Sequence, residues 1–163
     1  SVFVISLFLM FTSSCLYHSM AFESKHKQVL RLLDHIFIFV AIAGSYTPIG
    51  LLVIGGPWGI GIVAFQWFLV LIGALNKTLS KKKGQKASLA FYLLMGWSAV
   101  VLFPIMANKA GTGLMVSIIA GGLFYSAGAI IYAFKGFKYH HMVWHLFINL
   151  GALSHFIGIV FLI

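Results

Sequence analysis

Residues 140–163, HHMVWHLFINLGALSHFIGIVFLI, form an apolar stretch that carries three histidines at its start and is long enough to cross a bilayer as one helix. Five earlier stretches have a similar length and composition. The six predicted spans are residues 1–19, 33–54, 57–75, 87–106, 112–134 and 142–163. We therefore predict an all-α fold, a polytopic membrane helical bundle that forms a single transmembrane domain over residues 1–163.

The composition excludes an ordinary soluble domain. Hydrophobic residues make up 61% of the 163 residues and charged residues only 8%, whereas a soluble domain carries about a quarter charged residues. The net charge of +9 does not indicate nucleic acid as a partner, because the lysines cluster in short connections between apolar runs. A single cysteine, Cys15, excludes an internal disulfide, and we expect it to serve only in packing.

The basic residues predict the orientation of the chain. Ten of the eleven Lys and Arg residues lie in the connections after the first, third and fifth spans, and the remaining one is Lys109. The chain is predicted to lie in the cell inner (plasma) membrane. The positive-inside rule predicts that those three connections face the cytoplasm and that both chain ends face outward. Because the chain begins at Ser1 within an apolar run, we expect a further helix to precede it.

Three histidines are predicted at one depth. His141 and His145 are four residues apart and share a helix face, and His18 ends the first span on the same predicted side. Three imidazoles are a ligand set of catalytic zinc sites, in which a fourth position holds water. Imidazole also suits copper or iron, and His18 facing His145 is compatible with haem. A histidine at a membrane boundary is, taken alone, more often an interfacial anchor.

Two further polar residues are candidates for chemistry. Asp34, the only aspartate, is predicted to act as a general base or as a partner of a metal ligand; the ordinary alternative is a helix N-cap. Ser14 lies four residues before His18, although serines in apolar helices, such as Ser13 and Ser14, commonly bond to their own helix carbonyls. The remaining histidines are given ordinary roles, with His26 and His140 facing solvent and His155 buried in a hydrogen bond.

A resemblance extends over essentially the whole chain. Several short motifs occur in the order typical of one family: SCLYH (14–18), LDH (33–35), GSYTP (44–48), GPWG (56–59), YLLMGW (92–97) and HMVWH (141–145). On these residues the chain resembles the hemolysin III family, bacterial relatives of the progestin and adiponectin receptors (the PAQR superfamily). The combination of Ser-x3-His, Asp and His-x3-His is specific, whereas each piece alone is weak.

The resemblance implies a seven-helix bundle with a cytoplasmic amino end, of which this chain supplies helices two to seven. It implies a zinc ion held by His18, His141 and His145 near the cytoplasmic side, with Ser14 and Asp34 lining the same site. Because the receptor relatives are similar to alkaline ceramidases, it implies zinc-dependent hydrolysis of lipid amide or ester bonds, with a membrane lipid or fatty-acyl molecule as substrate.

Two other functions remain open at this stage. One is a membrane-homeostasis sensor or receptor without enzymatic activity, in which zinc is structural and Asp34 is a fourth ligand. The other is cytolysis through a pore, which needs polar residues along the length of the helices. The outer half of these helices has almost none.

Overall fold

The computed structural model describes residues 1–21, 24–79, 85–134 and 136–163, and for residues 85–87 it describes the backbone alone. Within these ranges the chain is helical and contains no strand. The elements are α1 (Val2–Ser19), α2 (Lys27–Pro48) with a π-helical continuation (Ile49–Ile54), α3 (Gly56–Leu79), α4 (Gln85–Trp97), α5 (Ala99–Lys109), α6 (Thr112–Phe134) and α7 (His140–Phe161).

Six stretches among the described residues are long and apolar enough to cross a membrane, which confirms the predicted class of a multi-span membrane protein. Four of them are single helices, α1, α3, α6 and α7, while α2 joins its π-helical turn and α4 joins α5. Large apolar side chains such as Leu52, Val101 and Phe134 point outward and are 71%, 80% and 80% exposed. This surface is suited to lipid rather than to water. Several lysines used to predict the orientation, among them Lys81 and Lys135, lie outside the described residues.

The second span begins earlier than predicted. Its helix starts at Lys27 rather than at residue 33, because Lys27 and Arg31 extend the amphipathic face of the apolar segment by two turns. Asp34 is therefore the eighth residue of α2, which excludes the alternative role of an N-cap.

The fourth span is interrupted at Ser98, whereas α5 continues through Pro104. The interruption leaves the carbonyls of Met95 and Gly96 to be satisfied by side chains. The Ser98 hydroxyl of the same span donates to the Met95 oxygen at 2.6 Å, and the other partners come from α2 and α3. The Tyr46 hydroxyl lies 2.9 Å from the Met95 oxygen and 2.8 Å from the Gly96 oxygen, and Gln66 Nε2 donates to the Met95 oxygen at 3.2 Å. Such partners make an irregular backbone tolerable at membrane depth.

The turn between α2 and α3 brings two backbones into direct contact. Gly55 and Gly56 have φ values of 65° and 59°, in the left-handed region that favours glycine. After this turn Gly59 lies directly against the carbonyl of Gly50, without room for a Cβ atom. This close approach packs α3 on the outer side of α2, away from the cavity described below.

Candidate metal centre

The first two turns of α7 place two imidazoles against each other. His141 and His145 are one turn apart on a single helix, and their Nε2 atoms are separated by 3.2 Å. Both side chains are half-buried. Their i, i+4 spacing explains this arrangement, because it stacks the two residues on one face.

A third imidazole reaches the same point from a distant part of the chain. His18, in the last turn of α1, has its ring centre 5.2 Å from that of His141 and 5.2 Å from that of His145. One nitrogen of each ring lies within 4.8 Å of the other two. The structure thus brings together the three histidines that the sequence predicts at one depth.

The donor set fits a metal ion. Two ligands about 2.0–2.1 Å from a tetrahedral ion are about 3.3 Å apart, which agrees with the 3.2 Å between His141 and His145. Neutral imidazole nitrogens are ligands that zinc accepts well, although copper and iron accept them too. The cluster is therefore a candidate metal site, and the identity of the metal is a separate question.

Aromatic rings surround the cluster, a feature not predicted from the sequence. Tyr17 meets His18 edge to face with ring centres 4.8 Å apart. Trp144 lies 4.4 Å from His145 by the same measure, and Tyr132 of α6 lies 5.9 Å from His141. These rings restrict the rotation of the imidazoles. The positions of Tyr17 and Trp144 beside the histidines were visible in the sequence, but the approach of Tyr132 depends on how α6 packs against α7.

The cluster lies in the wall of a cavity of about 700 Å³ between the helices. Side chains of α1, α2, α4, α5, α6 and α7 line it, whereas α3 contributes none of the described lining residues. Away from the histidines the wall is mostly apolar, with residues such as Phe3, Ile49, Met106 and Met115. The cavity has the volume of a small-molecule site and the character of a site for an apolar chain.

Ser14 and Asp34 both line this cavity. Ser13 donates to the Met10 carbonyl at 3.0 Å, as expected of a serine in an apolar helix. Ser14, in contrast, makes no hydrogen bond to any residue that the structure describes, so its hydroxyl is available to the cavity.

Asp34 is buried, with 9% of the residue exposed, and its Oδ2 atom lies 3.7 Å from His35 Nδ1. It does not belong to the group of mutually close donor atoms formed by the three histidines. The described residues thus supply three ligands, and the nearby carboxylate belongs to the surroundings of the cluster.

The other histidines differ in their surroundings. His26 is exposed, as predicted. His140 is partly exposed at the cavity rim, and its Nδ1 donates to the Phe137 carbonyl at 2.8 Å in an exposed hydrogen bond. His155 makes the predicted hydrogen bond, at 3.3 Å from the Ile118 carbonyl, and its ring contacts Tyr125.

Comparison with known proteins decides the family. Residues 1–156 match the family described as Haemolysin-III related. The chain belongs to this family. Hemolysin-3 of Bacillus cereus is 35% identical over 162 residues, which cover 99% of this chain and 73% of that protein.

Two more relatives extend the range of the comparison. The Hemolysin-3 homolog of Bacillus subtilis (strain 168) is also 35% identical, over 99% of this chain and 75% of its own length. The human Monocyte to macrophage differentiation factor is 28% identical over 97% of this chain and 67% of its own length. No solved structure matches the chain. The resemblance inferred from the sequence motifs is thereby confirmed.

Proposed function

We propose that this haemolysin-III family member is a zinc-dependent hydrolase of lipid amide or ester bonds. The observation that carries the proposal is the meeting of His18, His141 and His145 in the wall of a largely apolar cavity that also exposes Asp34 and Ser14. These three histidines would hold the zinc ion, which when bound supplies a Lewis acid that activates water and polarises the scissile carbonyl.

The chain's own residues account for the remaining steps. The Asp34 carboxylate accepts a proton from the attacking water, whose oxygen forms a bond to the acyl carbon. As the C–N or C–O bond breaks, the same carboxyl group returns that proton to the leaving amine or alkoxide. The Ser14 hydroxyl donates a hydrogen bond to the carbonyl oxygen as negative charge develops on it. The apolar part of the cavity holds the acyl chain.

The ligand count favours this function over a sensor with a structural zinc. A structural site is closed by four protein ligands, whereas a catalytic site keeps a position for water. Asp34 is not a member of the three-histidine group, and this leaves such a position. A cytolytic pore is less well supported, because the deeper cavity wall is apolar.

The basic residues support a cytoplasmic location for the site. Lys27 and Arg31 lie at the same end of the bundle as the histidines, and by the positive-inside rule this favours a cluster on the cytoplasmic side of the cell inner membrane. A substrate then enters from the cytoplasmic leaflet.

The experiment measures zinc and turnover on the same samples. Protein purified in neutral nanodiscs is analysed for zinc per chain and for fatty acid released from a panel of N-acyl amides and acyl esters. The His141→Ala variant is expected to lose zinc and release, whereas Asp34→Asn keeps zinc and loses release. His26→Ala is the matched control, because this exposed histidine lies outside the cavity. Unchanged zinc content in His141→Ala, or no release from any member of the panel, contradicts the proposal.

A further inference from the structure

The cavity is open on one side, between the fourth span and α6. Residues enclosed in its wall are almost completely covered, since Phe3 and Met106 line the cavity and are 1% and 3% exposed. Five other large residues line the cavity but are 44–58% exposed: Trp97, Val100 and Phe103 in the fourth span, and Ile119 and Leu123 in α6. Side chains that meet both the cavity and the outside mark an opening, and we call the gap between these five residues the lateral opening.

Two glycines show that the helices do not meet at the lateral opening. Gly96 of α4 and Gly122 of α6 both line the cavity, and a Cβ atom added at either position has no described atom within 4 Å. Gly121, one residue before Gly122, is different because a Cβ atom there meets the His155 ring. One face of α6 is thus packed tightly on α7, whereas the adjacent face, toward the fourth span, borders open space.

A hydrogen bond joins the two spans beside the lateral opening. Trp97 Nε1 donates to Ser126 Oγ at 3.1 Å, while the Ser126 hydroxyl donates to the Gly122 carbonyl at 2.8 Å. Trp97 lies near the middle of the span Ser88–Lys109, where hydrocarbon offers an indole N–H no partner. Breaking this bond therefore leaves a donor unpaired, and the bond favours a closed arrangement of α4 and α6.

The bond lies between the lateral opening and the candidate metal centre. Along α6, Ser126 follows Ile119 and Leu123 and precedes Tyr132, whose ring lies 5.9 Å from that of His141. A molecule that reaches through the lateral opening thus has the Trp97–Ser126 bond between itself and the histidines.

We infer that the hydrocarbon chain of a bilayer lipid enters the cavity through the lateral opening, and that Trp97 controls this entry. The polar end of the lipid reaches the histidine end only when α4 and α6 separate, which breaks the Trp97–Ser126 bond. Because the fourth span is interrupted at Ser98, directly after Trp97, α4 can tilt without α5. The inference rests on the proposed function only for the bond that is cleaved after entry.

The border of the lateral opening suits a hydrocarbon chain. Val100, Phe103, Ile119 and Leu123 are apolar, and they lie within the spans rather than at their ends. At this depth a bilayer contains acyl chains and not headgroups. Passage of water or ions needs a polar lining instead.

The test measures lipid exchange without turnover. Full-length protein in phosphatidylcholine nanodiscs is immobilised and loaded with tritiated hexadecylglycerol, an ether lipid without an amide or ester bond. Nanodiscs without protein correct for ligand dissolved in the bilayer. Saturable retention gives the dissociation constant, and extraction by unlabelled vesicles gives the release rate. A residue that controls entry changes the association and release rates by the same factor, so the dissociation constant stays constant.

Two variants remove the hydrogen bond from either side. Trp97→Phe keeps an aromatic ring but lacks the N–H group, and Ser126→Ala lacks the acceptor. We expect each to release the ligand about fivefold faster, the factor that corresponds to one hydrogen bond, with an unchanged dissociation constant. The double variant is no faster than either single variant, because both remove the same bond. Trp58→Phe is the matched control, since Trp58 is exposed but does not line the cavity.

A second pair of variants narrows the lateral opening. Val100 borders it, whereas the next residue, Val101, is 80% exposed and does not line the cavity. We expect Val100→Trp to slow release about tenfold, because the passing chain must displace a bulky side chain. Val101→Trp adds the same bulk on the lipid side and leaves the release rate unchanged.

Several results overturn the inference. These are an absence of saturable retention, wild-type release rates in both Trp97→Phe and Ser126→Ala, and equal effects of Val100→Trp and Val101→Trp. Faster release of Trp97→Phe with an equal rise in the dissociation constant also overturns it, because the ring then only contacts the bound chain. If exchange behaves as expected but no fatty acid is released from any amide or ester, the hydrolase proposal fails while this entrance stands.

Discussion

Replacing Gly59 by alanine tests the contact between α2 and α3. A Cβ atom at this position meets the backbone carbonyl of Gly50 at a distance that real atoms do not adopt. Because the obstacle is backbone rather than the end of a flexible side chain, a rotamer change does not relieve the clash. The two helices must separate locally. Gly61 lies two residues away on the same helix and has open space around it, so Gly61→Ala is the matched control.

The expected loss of stability follows from the different space around residues 59 and 61. Replacing glycine by alanine within a helix favours the helix by about 1 kcal/mol, and this gain is common to both variants. Overpacking of a tight contact costs about 1–3 kcal/mol. We expect the upper end of that range for Gly59→Ala, which makes it less stable than Gly61→Ala by about 3 kcal/mol, or about 100-fold in the unfolding equilibrium constant.

The measurement is reversible unfolding in mixed micelles of mild detergent and SDS, followed by circular dichroism. Gly50→Ala should destabilise the protein as well, because its Cβ atom meets the Gly59 carbonyl and the Val63 side chain. The double variant should lose less than the sum of the two single losses, since both methyl groups push the same pair of helices apart. Equal stability of Gly59→Ala and Gly61→Ala would refute the assigned contact.

Three further outcomes are expected. Zn²⁺ at about 100 times its dissociation constant raises the unfolding free energy by about 2.7 kcal/mol. This stabilisation disappears in His141→Ala, and if it persists in that variant His141 is not a zinc ligand. Tyr46→Phe lowers the unfolding free energy by about 1 kcal/mol, because the Gly96 carbonyl loses its donor. An unchanged unfolding free energy in the same SDS titration shows that the Tyr46 hydroxyl does not stabilise the interrupted span. Cys15 is exposed on α1, so Cys15→Ala changes the unfolding free energy by less than about 0.5 kcal/mol, and a larger loss rejects its lipid-facing position.

Span composition and helix periodicity were enough to predict the fold class and the meeting of the histidines. Long apolar runs admit little besides helices in a bilayer. The i, i+4 spacing of His141 and His145 fixes their common face. His18 was assigned to the same cluster from its depth alone, because it ends a predicted span on the same side of the membrane as His141 and His145 begin theirs. The family motifs supported the same set of residues.

The rest depended on how the helices are rotated against each other. The sequence did not show that Ser14 rather than Ser13 is available to the cavity, nor that Tyr132 approaches His141, because periodicity gives the faces of a helix but not its neighbours. The interruption at Ser98 was also missed. The break depends on donors that Tyr46 and Gln66 supply from other helices, and these contacts cannot be read from the sequence of the fourth span.

This dependence of the fourth span on the second and third has a consequence for biogenesis. A ribosome releases Tyr46 and Gln66 before it releases Met95 and Ser98, so the donors are synthesised first and the acceptors arrive afterwards. Without Tyr46 the Gly96 carbonyl of the fourth span has no side-chain donor in hydrocarbon, and the Met95 carbonyl keeps only the Ser98 hydroxyl of its own span. This loss opposes insertion of the span as an isolated helix. Because the chain is synthesised from its amino end, we expect α2 and α3 to be in place first and to pack against the interrupted fourth span as it enters the membrane.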